Sequence, residues 1–296
     1  MLIKTLLNST RPSFLILTPI CVFLGLSTSL ATQPQINVFI FSLILIGAIS
    51  AHISVNMLNE YYDFSSGLDL KTEKTAFSGG SGALPDNPKM ANTVLIFGIA
   101  ALVLTITIGI YLIIERGNQI LPIGLVGVFL IVTYTQWLNR FPLLCLIAPG
   151  IGFGTLMVVG THVILTESNS SLPWLVSLVP FFLINNLLLL NQYPDMKADA
   201  SVGRNTFPIA FNIIKSNVVY TINFMAAYLL ILILIYTAYI PSLSIISVTP
   251  LMLSAFALLG AIKYTSRIGD YPHYLAANVA ASLLTPLLLG ISIITG

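Results

Sequence analysis

Nine apolar runs divide the chain, at 13–30, 38–58, 92–114, 119–138, 143–165, 172–191, 218–240, 243–262 and 274–294. Each is close to the roughly 20 residues a helix needs to cross a bilayer. An isolated strand leaves its backbone unsatisfied in lipid, so the runs predict helices. The expected fold is all-α: a polytopic membrane protein with nine transmembrane helices bundled around a cytoplasm-facing cavity. Connections are short except at about 59–90 and 192–216, and both long loops follow an even-numbered span, which puts them on one face. They lie four spans apart. That suggests two related halves in parallel orientation, about 1–140 and 141–270, within a single domain 1–296 closed by the ninth helix.

Composition agrees with the pattern. Only 7% of residues are charged and 56% are hydrophobic, against about 25% charged in soluble domains. A net charge of +2 with no basic run gives no reason to expect a nucleic-acid partner. Cys21 and Cys145 both fall inside apolar runs, which argues against a disulfide framework. The N-terminus mimics a secretory leader, but its apolar core at 13–30 is longer than a leader's and follows Arg11-Pro12. It reads as the first span.

Charge sets the orientation. With the N-terminus in the cytoplasm, Lys4, Arg11, Lys71, Lys74, Lys89, Arg140, Lys197, Arg204, Lys215, Lys263 and Arg267 fall inside and Arg116 alone falls outside. Both long loops are therefore expected on the cytoplasmic face.

The scarce acids gather in those loops. Asn56, Asn59, Glu60 and Asp63 are spaced i, i+3, i+4, i+7 where the second span ends, with His52 one turn deeper. An acid at bilayer depth costs about 2.5–3.5 kcal/mol unless it faces a partner or a polar cavity. The stripe therefore points to a cavity. In the second loop, "NQYPDMKADASVGRNT", Asp195 and Asp199 are i, i+4 neighbours that repel unless a cation lies between them. Pro194 suits the first position of a short new helix, and Gly203 suits its end. Without a Cys/His cluster, carboxylate and amide oxygens suit magnesium, which takes one or two protein carboxylates and completes its shell with water and phosphate. Lys71, Lys74, Arg140, Lys197 and Arg204 interleave with the acids, so the set reads as a metal–diphosphate site.

At these motifs the sequence resembles the UbiA superfamily of intramembrane prenyltransferases. The family's N-D-x-x-D-x-x-x-D motif after its second helix is matched by "NEYYDFSSGLD", and its D-x-x-x-D after the sixth by "DMKAD". The likeness runs over essentially the whole chain, including "RPSF" before the first span. It implies that Asn59, Asp63, Asp195 and Asp199 are catalytic, with Asp63, Asp195, Asp199 and Glu60 holding Mg2+ against an isoprenoid diphosphate. Lys71, Lys74, Arg140, Lys197 and Arg204 would bind the diphosphate, and Asn56, Glu60, Asp69, Tyr134 and Asn191 would line the cavity. The implied reaction ionises an allylic C–O bond and hands the allyl cation to an aromatic acceptor. The implied partners are a polyprenyl diphosphate, the aromatic acceptor and the bilayer, with no obligate protein partner. The implied location is a bacterial inner membrane, with the N-terminus and active site cytoplasmic.

Departures from the motif point to a branch. Glu60 stands at the first Asp, and Gly67 at the third acid with Asp69 two residues on. That displaced acid, "FSGGSG" and the glycine-patterned "GIGFGTLMVVGTHVIL" resemble the 1,4-dihydroxy-2-naphthoate polyprenyltransferases of menaquinone synthesis. Against this, Leu146 stands where that branch often carries a carboxylate, and Leu138 where many members carry a base that Arg140 could replace. 4-Hydroxybenzoate transfer or prenyl cyclisation is the alternative within the family, and an ion-coupled secondary transporter the rival outside it. His162 and His273 read as interfacial, while Asn185 and Asn186 could line the cavity or bond across helices.

Overall fold

The computed structural model describes residues 2–75 and 77–296. All regular structure among them is helical. Among the described residues eight helices are long and apolar enough to cross a membrane: α1 (Pro12–Thr32), α2 (Val38–Ser65), α3 (Pro88–Arg116), α5 (Pro142–Thr166), α6 (Ser171–Asn191), α7 (Phe207–Tyr236), α8 (Ser242–Asp270) and α9 (Pro272–Thr295). The remaining apolar run, the fourth, forms a shorter helix, α4 (Asn118–Thr133). All nine expected runs are thus helical among the described residues, eight of them at full spanning length and one shorter. The run 119–138 stops early because its end is tied by side-chain bonds: Asn139 donates to the Thr135 carbonyl, and Thr135 donates to Asn59 Oδ1 at 3.0 Å. Those bonds hold the end of α4 in irregular turns at the mouth of the cavity.

Two other boundaries shift. α7 begins at Phe207, eleven residues before its apolar run, with Pro208 in its first turn and a break at Asn212 (φ 69°). The short helix of the second loop covers Met196–Ser201, with Asp195 rather than Pro194 at its start. Gly203 follows with φ +81°, as its stop signal requires.

α1 is the central post, packed on α5, α9 and α2, while α6 lies against α5, α7 and α9. α6 buries 61% of its most apolar stretch and α3 only 17%, so the second half supplies the core and α3 lies at the periphery. Two glycines let α5 and α6 approach closely. A Cβ at Gly150 or Gly154 would lie 2.5 Å from the Phe181 carbonyl oxygen or amide nitrogen respectively. A π-helical turn, Gly150–Leu156, follows Pro149 at this contact, and the Gly150 amide donates to Asn185 Oδ1 at 2.7 Å. Asn186 likewise donates to the Tyr220 carbonyl at 2.8 Å. Both asparagines therefore bond across helices and lie off the cavity wall. Cys21 and Cys145 are free and buried.

Candidate active site

Helix α2 runs unbroken through Ser65, so its polar stripe stays on one face. His52, Asn56, Asn59 and Asp63 all line a cavity of about 1160 Å³. Side-chain bonds fix two of them. Asn56 donates to the Thr10 carbonyl at 2.9 Å, and Asn59 donates to Asp63 Oδ2 at 2.9 Å. The same cavity is lined by Asp69, Lys74, Tyr134, Asn191, Asp195, Asp199 and Arg204. The two acidic motifs therefore meet, although more than a hundred residues separate them in sequence.

Arg204 joins them. Its guanidinium donates to Asp199 Oδ1 at 3.1 Å and pairs with Asp63 on the other side. A buried pair of this kind needs both partners, because the acids are unpaired without the cation. Burial alone would lower the guanidinium's pKa, but Asp63 and Asp199 beside it raise it instead.

The loop that follows the first motif closes the same ring. The Gly79 amide donates to Asp195 Oδ2 at 3.1 Å. Both Gly79 (φ +82°) and Gly80 (φ +72°) occupy left-handed backbone, and a Cβ on Gly80 would lie 2.7 Å from Asp69 Oδ1. "FSGGSG" is thus a shaped connector between the motifs. Lys74 ties this loop to itself through the Ser81 carbonyl.

Several oxygens remain open. Asp69 Oδ2, Asn191 Oδ1, Gln192 Oε1 and Asp195 Oδ1 are buried without a hydrogen-bond partner. Burial, reinforced by Asp199, pushes Asp195 up to about 7. Burial, reinforced by Glu60 and Asp63, pushes Asp69 up to about 7 as well. Burial also raises Asp199, against the opposing pull of Arg204. A wall of unpartnered carboxylate and amide oxygens is the donor set of a hard cation. Among the described residues no three His, Cys, Asp or Glu side chains form a ready-made metal cluster. Water and phosphate oxygens would have to complete each shell.

Some expected site residues lie elsewhere. Glu60, expected as a metal ligand on the wall, is fully buried but off the cavity. It sits about 100° round the helix from Asn59. There it pairs with Arg11 at 3.2 Å and accepts from the Ser81 hydroxyl and amide. Lys71, Arg140 and Lys197, expected at the diphosphate, are exposed and off the wall. Lys71 instead donates to Ser201 Oγ at 3.4 Å. Lys197 lies two residues from each acid of the second motif, a spacing that turns it away from their shared face. Arg11, which sequence reasoning counted only as a topological charge, does line the cavity. Its signal was available: Arg11-Pro12 sits just before an apolar run, where an unpaired cation needs an anion.

Below the acids the cavity turns apolar, with Val22, Ile44, Ile108, Leu112, Leu156 and Ile164 on its walls. From Leu43 to Asp63 it follows twenty residues of α2, which is about 30 Å at 1.5 Å per residue.

Residues 18–271 match the UbiA prenyltransferase family. The 1,4-dihydroxy-2-naphthoate octaprenyltransferase of Bacillus subtilis (strain 168) is 30% identical over 208 residues, covering 68% of this chain and 63% of that protein. A UbiA prenyltransferase domain-containing protein 1 from Dictyostelium discoideum is 24% identical over 213 residues, covering 67% of this chain and 61% of that protein. The match therefore spans a little under two thirds of each curated relative. Among solved structures, a UbiA homologue from Archaeoglobus fulgidus bound to DMAPP and Mg2+ superposes with a TM-score of 0.70 at 12% identity, covering 98% of this chain and 99% of that one. The apo structure of a UbiA homologue from Aeropyrum pernix K1 gives 0.69 at 16% identity, covering 95% of this chain and 97% of that one. At these identities the likeness is one of fold.

Proposed function

The chain belongs to the UbiA prenyltransferase family, and from that premise we propose that it transfers an isoprenoid chain from a prenyl diphosphate to an aromatic acceptor. One observation carries the reading: both acidic motifs and Arg204 open onto one end of a cavity whose remainder is apolar. The acidic end suits a cation-neutralised diphosphate, and the apolar length suits a prenyl tail. The bilayer-embedded fold lets that tail arrive from lipid.

The allylic C–O bond breaks and its electron pair leaves with the diphosphate. A ring carbon of the acceptor then attacks the allyl cation, and the ring sheds a proton or carboxyl group. Arg11, Lys74 and Arg204 are the cavity's cations, placed to offset the charge that collects on the leaving group. Asn59 orients Asp63, and the Gly79 amide orients Asp195. Apolar walls keep water from the cation. Asp63, Asp195 and Asp199, with Asp69 and Asn191 beside them, would hold Mg2+, which when bound supplies Lewis-acid stabilisation of the diphosphate. The structural relative's DMAPP and Mg2+ support that assignment.

The proposed acceptor is a fused bicyclic acid, 1,4-dihydroxy-2-naphthoate. The displaced Asp69, the "FSGGSG" connector and the name of the Bacillus relative favour it. Leu146 packs into the core, off the cavity wall, so the branch's extra carboxylate has no counterpart on this wall. The transporter reading is disfavoured because a carrier's acids belong near the midplane, whereas these lie where α2 and α6 end. The proposed orientation puts the acids and N-terminus in the cytoplasm, with the membrane a bacterial inner one. Cysteine labelling at Ser78 and Ser170 should then find opposite sides. The deciding assay offers purified membranes labelled prenyl diphosphate and both aromatic acids in competition. A decarboxylated prenyl naphthol is the expected product. Exclusive prenylation of 4-hydroxybenzoate would overturn the acceptor, and no prenylation at all would overturn the function.

A further inference from the structure

The apolar part of the cavity contains one titratable side chain well below the acids, His52 on α2. It is 4% exposed and lies seven residues before Asn59, about 10 Å down the helix. Its ring meets Phe153 of the π-helical turn edge-on, with centroids 4.5 Å apart. One nitrogen is spoken for: Nδ1 lies 2.8 Å from Thr18 Oγ1. The other, Nε2, makes no hydrogen bond to any described residue, although the ring stands on the cavity wall.

Hydrogen-bond accounting assigns the tautomer. Elsewhere on α1, Ser27, Thr28, Ser29 and Thr32 each donate to a backbone carbonyl of their own helix. Thr18 makes no such bond, and its hydroxyl lies against His52 instead. Its hydroxyl proton has one partner, His52 Nδ1. A Thr18 that donates to Nδ1 places the imidazole proton on Nε2, aimed at the cavity. A second pair in the same fold shows the opposite arrangement. Thr28 spends its proton on the Gly25 carbonyl at 2.8 Å, so at 3.0 Å it must accept from Nδ1–H of His162. His162 Nε2 is then the acceptor that faces Ser170 Oγ at 3.3 Å. His162 is thereby a fully buried structural residue, rather than the interfacial one its position suggested.

We propose that His52 is the acceptor-positioning residue: its Nε2–H donates a hydrogen bond to an oxygen of the aromatic acceptor, held in place by Thr18. The inference rests on the prenyl-transfer reading and deepens it. An elimination supports it. The diphosphate oxygens belong at the acid end, and a prenyl tail carries no oxygen at all. The only substrate oxygens that can reach a donor two turns below Asn59 are the acceptor's hydroxyl or carboxylate. A donor left open in an apolar slot costs free energy until such an oxygen arrives. With its proton on Nε2 and its lone pair engaged by Thr18, His52 positions the ring and is not the base that deprotonates it.

The test has two arms. In kinetics, His52→Met keeps an apolar side chain of similar length and removes the donor. It should raise KM for the aromatic acid about tenfold or more and leave KM for the prenyl diphosphate within about twofold. His52→Gln, which restores an N–H near the place of Nε2, should recover most of that loss, and Thr18→Val should reproduce part of it. An active wild-type chain whose H52M variant shows both KM values unchanged, or both raised together, overturns this inference alone. A wild-type chain that prenylates neither aromatic acid removes the prenyl-transfer reading, and this inference with it. The second arm needs no turnover. In 15N-histidine-labelled protein, H52Q and His162→Gln identify the signals, and wild-type His52 should be protonated at Nε2 and His162 at Nδ1. Protonation of His52 at Nδ1 would overturn the assignment whatever the kinetics show.

Discussion

The two acidic motifs face each other across one cavity but are built differently. The first grows from an unbroken 28-residue helix. The polar atoms on the helix itself are paired before any ligand arrives, Glu60 by Arg11 and Ser81 and Asp63 by Asn59 and Arg204, and only Asp69 beyond its end keeps an unpartnered oxygen. The second sits on a six-residue helix, Met196–Ser201, cut off from α6 by a turn. Its Asp195 keeps one oxygen unpartnered, and Asn191 and Gln192 just before it do the same. A long helix positions side chains through its own continuity, whereas a short one depends on its neighbours. The first motif is therefore a rigid wall, and the second is the side that a cation would organise.

The largest expected effect falls on the cavity-facing carboxylates, and the open side gives the sharpest case. Asp195→Ala removes the unpartnered oxygen together with the acceptor of the Gly79 amide, and should lower kcat by about 10²–10³-fold. Asp63→Ala and Asp199→Ala should do likewise, and turnover should require a divalent cation. Normal turnover by D195A in the presence of chelator would refute the metal–diphosphate reading.

Next is the tie between the sides. Arg204→Met leaves Asp63 and Asp199 buried and unpaired, a change worth about 3–5 kcal/mol where one partner of a buried pair is lost. A thermal unfolding midpoint lowered by several degrees is expected in detergent, with Asp63→Asn restoring part of it. An unchanged midpoint would mean that the two motifs are held together by something other than Arg204.

Much of this contrast was legible in the sequence. The i, i+3, i+4, i+7 spacing placed Asn56, Asn59 and Asp63 on one face, because helical periodicity is local and the run before it is too apolar to break. The same periodicity misplaced Glu60. Spacing gives the face within about 100°, but only the docked Arg11 and Ser81 decide which way the edge of the stripe turns. Pro194 and Gly203 marked the broken helix for local reasons too. The α4 boundary was not legible, since 119–138 is apolar enough to continue and stops only because Thr135 finds Asn59, far away in sequence. Lys71, Arg140 and Lys197 lie off the cavity wall for a related reason. A cation near an acid in sequence is as good a positive-inside anchor as a ligand, and side-chain direction separates the two.

A smaller effect follows from protonation. Asp195 and Asp69 are both pushed up to about 7, chiefly by burial. A carboxyl whose pKa is raised on folding is favoured in its neutral form, so the ligand-free fold is more stable at low pH and loses that contribution as pH rises through about 7. Cation binding works against the proton. The apparent affinity for Mg2+ should therefore strengthen from pH 6 to pH 8 and level off above it, measured by titrating the metal against turnover or thermal shift. One group comes from each motif, so the slope should shrink in Asp195→Asn and again in Asp69→Asn. An affinity that does not vary with pH would mean that both groups are already ionised at neutral pH.

The smallest expected effect on activity separates the two motifs most sharply. As a metal ligand, Glu60 would be as indispensable as Asp195. Here its oxygens are occupied by Arg11 and Ser81, and it lies off the cavity. Glu60→Gln keeps the shape and leaves an acceptor for Ser81, but removes the charge that Arg11 pairs with. The cost should fall on the fold, by about 1–3 kcal/mol for a charged hydrogen bond, and Arg11→Met should cost a similar amount. Neither loss should add fully to the other in the double variant, because each removes the same pair. In E60Q, kcat should stay within about tenfold of wild type, and the Mg2+ dependence should not move. A loss of turnover as deep as that of D195A, at a temperature where the protein remains folded, would return Glu60 to the metal and make both motifs ligand-organised.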